Sequence, residues 1–122
     1  MKYLCLVHLA PEAFANFDAK ASQELDRASL GYDRTLAEAG HLVAAAALQA
    51  ADTAVLVRVR ESGVSTTDGP FTETKEQLGG FILIEARDLN EAVRLAAGIP
   101  IAKYGTIEVR PIYEIPVLPE VS

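Results

Sequence analysis

Apolar residues in this chain come in short dense runs separated by polar, turn-bearing segments, and the spacing within each run differs. KYLCLVHL (Lys2 to Leu9) is continuous, rich in strand formers and stopped by Pro11, which predicts a strand. In SQELDRASLGYDRTLAEAG, Leu25, Ala28, Tyr32, Leu36 and Ala39 recur at steps of three and four, a helical stripe. Ser22 suits its N-cap, Glu24 and Asp26 place negative charge in its first turn, and Gly40 sits where a left-handed C-cap belongs. HLVAAAAL (His41 to Leu48) divides the signals: alanine favours helix, whereas its shortness and the preceding Gly40 favour strand, which is the expectation here.

TAVLVRVRESGVSTTDG alternates as a hairpin should. Val55, Val57 and Val59 share one face, Leu56, Arg58 and Arg60 the other, with Glu61-Ser62-Gly63 as a three-residue turn. GGFILIEA (Gly79 to Ala86) is a strand apolar on both faces. DLNEAVRLAAG is the clearest helix, with Asp88 as cap, Glu91 completing a capping-box pattern, a stripe of Leu89, Ala92, Val93 and Ala96, and Gly98 and Pro100 as its stop. TIEVRPIYEI is the last strand, and Pro111 within it predicts an edge position or a bend, because proline cannot donate to a central ladder. The tail PVLPEVS is expected to be a flexible arm or a partner contact.

The order is β-α-β, an inserted hairpin, then β-α-β. Right-handed crossovers turn this into an α+β, ferredoxin-like fold in which two helices cover one face of an antiparallel sheet. The other face should be polar if it met water. Instead Leu4, Leu6 and His8 alternate with Tyr3, Cys5 and Val7, and Phe81 and Leu83 alternate with Ile82 and Ile84, so both faces of two strands are apolar. Either the inserted hairpin folds across its own sheet, or a second copy covers that face about a two-fold axis, and the homodimer is the more economical expectation.

Composition narrows the function classes. A length of 122 residues predicts one domain, 1–122, able to bury a core without metal or disulfides. The net charge of −6 and the lack of a Lys/Arg cluster argue against a nucleic-acid partner. No stretch approaches the ~20 apolar residues of a membrane span. KYLCLVHL lacks the flanks of a signal peptide, and a lone cysteine, Cys5, fits a reducing cytoplasm. One cysteine and two histidines make a zinc site an unpromising expectation, and no cofactor motif is present: Gly79-Gly80 leads into a strand, not into the helix a phosphate loop needs.

The candidate chemistry is sparse. His8 ends an apolar strand; it is either a satisfied core histidine or an acid–base group. Asp68 precedes Gly69, a common turn pair, yet the turn does not account for the whole polar run STTDGPFTETKEQLGGF. If that run rims a pocket, Lys75 would hold an anionic group, with Glu73 beside it and Arg58 or Arg60 nearby; otherwise these are solvated charges. His41 should serve the preceding helix terminus, Tyr104 the turn into the last strand, and Cys5 the core. Ser65, Thr66 and Thr67 show no triad or elbow context. The first strand is expected to be central, which would bring its C-terminal His8 near the Asp68 turn at the rim of a pocket, with Lys75 close by.

MKYLCLVHLAPE, TDGPFTETKEQLGGFILIEARDLNEAVRLAAGIP and AKYGTIEVRPIYE resemble the DGPF-type branch of the YciI-like (YCII-related) domain family, over nearly the whole chain and most specifically at Asp68-Gly69-Pro70-Phe71. The resemblance implies a dimeric α/β barrel of ferredoxin-like units. It also implies an acid–base pair of a histidine near the end of the first strand and an aspartate, roles that fall here on His8 and Asp68; many members of the branch lack that histidine. Genes of the branch often lie beside sigma-factor genes. Two classes of function follow: a cofactor-free acid/base enzyme acting on a small anionic or phenolic molecule, or a non-catalytic module that senses a ligand or binds a protein.

Overall fold

The first helix starts one turn before the expected place. In a computed structural model that describes residues 1–72 and 74–117, Asp18, not Ser22, is the N-cap, and its Oδ1 accepts the Ala21 N–H at 2.8 Å. Helix α1 then runs Ala19–Glu38. It ends in a Schellman motif: Gly40 takes φ +80°, the Gly40 N–H bonds the Ala37 carbonyl, and the His41 N–H bonds the Leu36 carbonyl at 2.7 Å. The inward stripe is also rotated from the expected one. Leu36 is buried and Leu25, Ser29, Tyr32 and Asp33 are half-buried, whereas Ala28 and Ala39 face water.

Strands β1 (Lys2–Leu9), β2 (Leu42–Ala47), β5 (Gln77–Glu85) and β6 (Gly105–Pro111) form one sheet in the order β2-β5-β1-β6, with every neighbouring pair antiparallel. That is the ferredoxin-like order, with β1 central and β6 at an edge, where Pro111 is tolerated. The alanine run of β2 is strand because it pairs with β5 along its length, and that pairing outweighs the helix propensity of alanine. Strands β3 (Val55–Arg60) and β4 (Gly63–Asp68) form a separate two-stranded sheet; Arg60 pairs with Gly63, so the loop is the two residues Glu61-Ser62 rather than three.

Helix α2 (Leu89–Ala97) is capped as expected: Asp88 Oδ1 accepts the Glu91 N–H at 2.9 Å. Glu91 reaches back past the cap to the Arg87 N–H at 2.9 Å and pairs with the Arg87 and Arg94 guanidinium groups at 3.1 and 3.3 Å. The Arg87 N–H first, then the two arginines, hold the Glu91 carboxyl below the usual carboxylate range. Of the expected stripe only Ala92 and Ala96 are buried; Leu89 and Val93 remain about half exposed.

The core lies between the helices and one sheet face. Tyr3, Cys5, Ile82 and Ile84 pack there with Leu36, Ala92, Ala96 and Ile99. Burial pushes the Cys5 thiol up to about 11, which suits a core residue and not a nucleophile. Tyr104 packs edge-on to Phe17, with ring centroids 5.1 Å apart, and beside Phe14. On the opposite face Leu4, Leu6, Phe81 and Leu83 are only half-buried. The hairpin does not cover them, since Val55, Val57, Val59 and Val64 on its own apolar side are 57–69% exposed. Tyr113, Ile115 and Val117 are exposed as well; the rest of the tail, residues 118–122, lies outside the described residues. Among the described residues no helix is long and apolar enough to cross a membrane.

Replacing Asp88 with alanine is expected to lower the unfolding free energy by about 0.5–2 kcal/mol, read from the urea midpoint at constant m-value. An unchanged midpoint would show that the cap does not hold α2.

Candidate functional site

A bulge sets the direction of His8. Along β1 and β5, Val7 pairs with Gly80 but His8 pairs with Leu78, so Gly79 is the extra residue. A Cβ there would come within 2.7 Å of the end of the Leu9 side chain, so a larger residue would require Leu9 to move. On its other side β1 pairs with β6, Leu6 opposite Glu108 and His8 opposite Thr106. His8 and Glu108 are therefore diagonal neighbours on the sheet face turned away from the helices, within reach of long side chains.

They meet. His8 Nε2 lies 2.9 Å from Glu108 Oε1, and Arg110 Nε stands 3.9 Å from Glu108 Oε2. A carboxylate can only accept, so Nε2 carries the hydrogen and a neutral ring keeps its lone pair on Nδ1. His8 is partly buried, with its side chain 29% exposed, at the wall of a cleft of about 630 Å³. Residues between Leu48 and Ala54, the loop residues Pro70, Phe71, Thr72, Thr74 and Glu76, and Gln77 and Leu78 at the start of β5 supply the remaining walls. Gln77 braces that loop by donating to the Thr72 and Thr74 carbonyls, both at 2.9 Å.

The family model for the YCII-related domain matches residues 1–116. The chain belongs to the YCII-related family. An uncharacterized protein of Rhizobium meliloti (strain 1021) is 32% identical to this YCII-related chain over 114 residues, 92% of each protein. Among solved structures the fold resembles 5-chloro-2-hydroxyhydroquinone dehydrochlorinase (TftG) from Burkholderia phenoliruptrix AC1100, in its complex with 2,5-dihydroxybenzoquinone. The TM-score is 0.56 at 16% identity, over 93% of this chain and 94% of that one.

Within this YCII-related chain the expected site residues are only partly brought together. His8 lines the cleft, and so do Pro70 and Phe71 of the DGPF motif. Asp68 does not join His8. It ends β4 opposite Val55, its side chain is exposed, and the ring's carboxylate partner is Glu108 instead. The reason is topological: β4 belongs to the hairpin, whereas β6 lies directly beside β1. Lys75 is exposed on the loop between two lining residues, Thr74 and Glu76. Arg58 is half-buried on the hairpin and does not line the cleft. Glu73 lies outside the described residues. His41 closes α1 through its backbone, while its ring Nδ1–H donates to the Glu85 carbonyl at 2.8 Å. Among the described residues no group of three or more His, Cys, Asp or Glu is placed to hold a metal ion.

In the ring ¹⁵N spectrum of neutral His8, the Nε2–H tautomer should be favoured beyond the preference of a free imidazole, Glu108→Ala should relax it to the free-imidazole ratio, and Asp68→Asn should leave it intact. Sensitivity to Asp68 with indifference to Glu108 would contradict the pairing.

Proposed function

We propose that this chain is an acid/base enzyme for a small phenolic or anionic molecule, working as a two-fold dimer. The observation that carries the reading is the His8–Glu108 pair at 2.9 Å in the wall of a cleft. With Nε2–H held by Glu108, Nδ1 is the atom free to take a proton. Its lone pair would accept the hydrogen of a phenolic or enolic O–H, the electron pair of the broken bond would stay on oxygen, and Glu108 would stabilise the imidazolium that forms. Such a proton transfer needs no cofactor. Phe71, 78% exposed at the rim, offers a ring face to an aromatic substrate. Lys75 on the same loop and Arg58 on the hairpin carry the positive charge that an anionic substituent would need, and a closing partner would have to bring them to it; Asp68, itself an anion, has no part in that contact. The dehydrochlorinase TftG, whose named substrate is a small hydroxylated ring, supports this class of substrate on a like fold. Assignment to the DGPF-type branch rests on Asp68-Gly69-Pro70-Phe71.

The uncovered surface supports the proposed dimer. Leu4, Leu6, Phe81 and Leu83 on the sheet and four valines on the hairpin lack cover within one chain, and fully burying each such side chain stabilises by about 1.5–3 kcal/mol. Sedimentation equilibrium should give twice the chain mass of 13.1 kDa, and Leu83→Lys should shift the species to monomer or unfold it. A wild-type monomer at micromolar concentration would refute the dimer.

For the chemistry, a panel of hydroxylated benzenes and quinones followed by ultraviolet–visible absorbance should reveal turnover of at least one compound. His8→Ala should slow it by about 10²-fold or more, and Glu108→Gln by less. Turnover indifferent to His8 would overturn the assignment.

A further inference from the structure

A second cleft, of about 450 Å³, opens on the other face of the sheet, beneath α1. It exists because the helix-facing side chains shrink toward one end of the sheet. Along β2 they run Leu42, Ala45, Ala47; opposite them in β5 run Ile84, Ile82, Gly80. At the small end no side chain reaches up to the helix.

The helix above that gap is polar where an amphipathic helix is normally apolar. Asp26, Ser29 and Asp33, at spacings of three and four, all line the cleft; Ser29 and Asp33 are half-buried, and Asp26 lies exposed at its edge. Tyr32, also in the lining, is already committed, its hydroxyl donating to the Leu95 carbonyl at 2.6 Å. Among the described residues neither aspartate has a hydrogen bond or an ion pair, and no Lys, Arg or His lines the cleft. Burial pushes the Asp33 carboxyl up, with no cation beside it to oppose the shift.

A carboxylate turned toward an under-filled apolar gap costs stability and gains nothing within this chain. Departures of this kind, where local patterning, packing and charge all run against the fold, gather at sites that receive a ligand. The chemistry of the walls defines that ligand. Val7, Leu9, Ile82 and Ile101 suit a hydrocarbon or aromatic body, and the half-buried Asp33 carboxylate without a counter-ion suits a positive charge. A bare divalent cation fits poorly, since it seeks six or more oxygens and the surroundings are apolar. An anion or a phenolate would be repelled.

We propose that this cleft is a second binding site, for a small apolar amine whose ammonium group pairs with Asp33. The volume lies in the lower part of the range of small-molecule pockets. The site stands on the opposite side of the sheet from His8, takes the opposite charge, and does not depend on the acid/base reading.

The test uses the ¹⁵N-labelled full chain titrated with 2-phenylethylamine, and in parallel with 2-phenylethanol as a neutral body of the same size. The amine should give saturable shifts in the amides of residues 26–33, 45–47 and 79–82, and should bind about tenfold more tightly than the alcohol. Asp33→Asn should bring amine binding down to the level of the alcohol. That variant should fold at least as well as the parent, because it removes a desolvated charge. Ala47→Leu, which fills the gap, should abolish both responses. Equal affinity for amine and alcohol, shifts confined to the surroundings of His8, or undiminished amine binding in Asp33→Asn or Ala47→Leu would each overturn the proposal.

Discussion

Two adjacent central strands, apolar on both faces, are the constraint on which the rest of the structure depends. Tyr3, Cys5, Ile82 and Ile84 are sealed by α1 and α2, and this seals the core. Leu4, Leu6, Phe81 and Leu83 point the other way and remain half-covered. With four strands and two helices the chain can close only one side of its sheet. The hairpin that might have closed the second side stands apart as its own two-stranded sheet, with its valines turned to water. The polar chemistry is distributed accordingly. Glu108 and Arg110 occupy the edge strand of the open face, and His8 reaches Glu108 from the end of the central strand, at the boundary between the apolar patch and the cleft.

What the sequence made legible was local or periodic. KYLCLVHL is continuous and GGFILIEA lies between turn signals, so both strands could be read, and Asp88 with Glu91 marks the start of α2 within four residues. The sheet order followed from element order and crossover handedness. What failed depended on choices between near-equivalent residues. Asp18 and Ser22 both suit a cap, and the three-residue segment between them is compatible with helix either way. Shifting the α1 stripe by one position exchanges Ala28 for Ser29 and brings Asp33 inward, which no count of apolar residues would favour.

The candidate site shows the harder limit. His8 and Glu108 are 100 positions apart and meet only because β1 and β6 pair in one particular register, with a bulge at Gly79 on the opposite flank. Single-sequence spacing carries no information on that register. Asp68 drew attention because its motif is conspicuous, but a residue on the inserted hairpin has no backbone ladder to β1. Pro70 and Phe71 of the same motif do line the cleft with His8, so the polar segment borders a pocket through its second half rather than its first.

The central proposal is that a second copy of the chain, not its own hairpin, covers the open sheet face beside His8. Isotope-filtered nuclear Overhauser spectroscopy on a mixture of labelled and unlabelled chains tests this directly. The account predicts contacts between chains from the methyl groups of Leu4, Leu6 and Leu83. An absence of contacts between chains, with those methyls meeting Val55, Val57 and Val59 of the same chain, would contradict it.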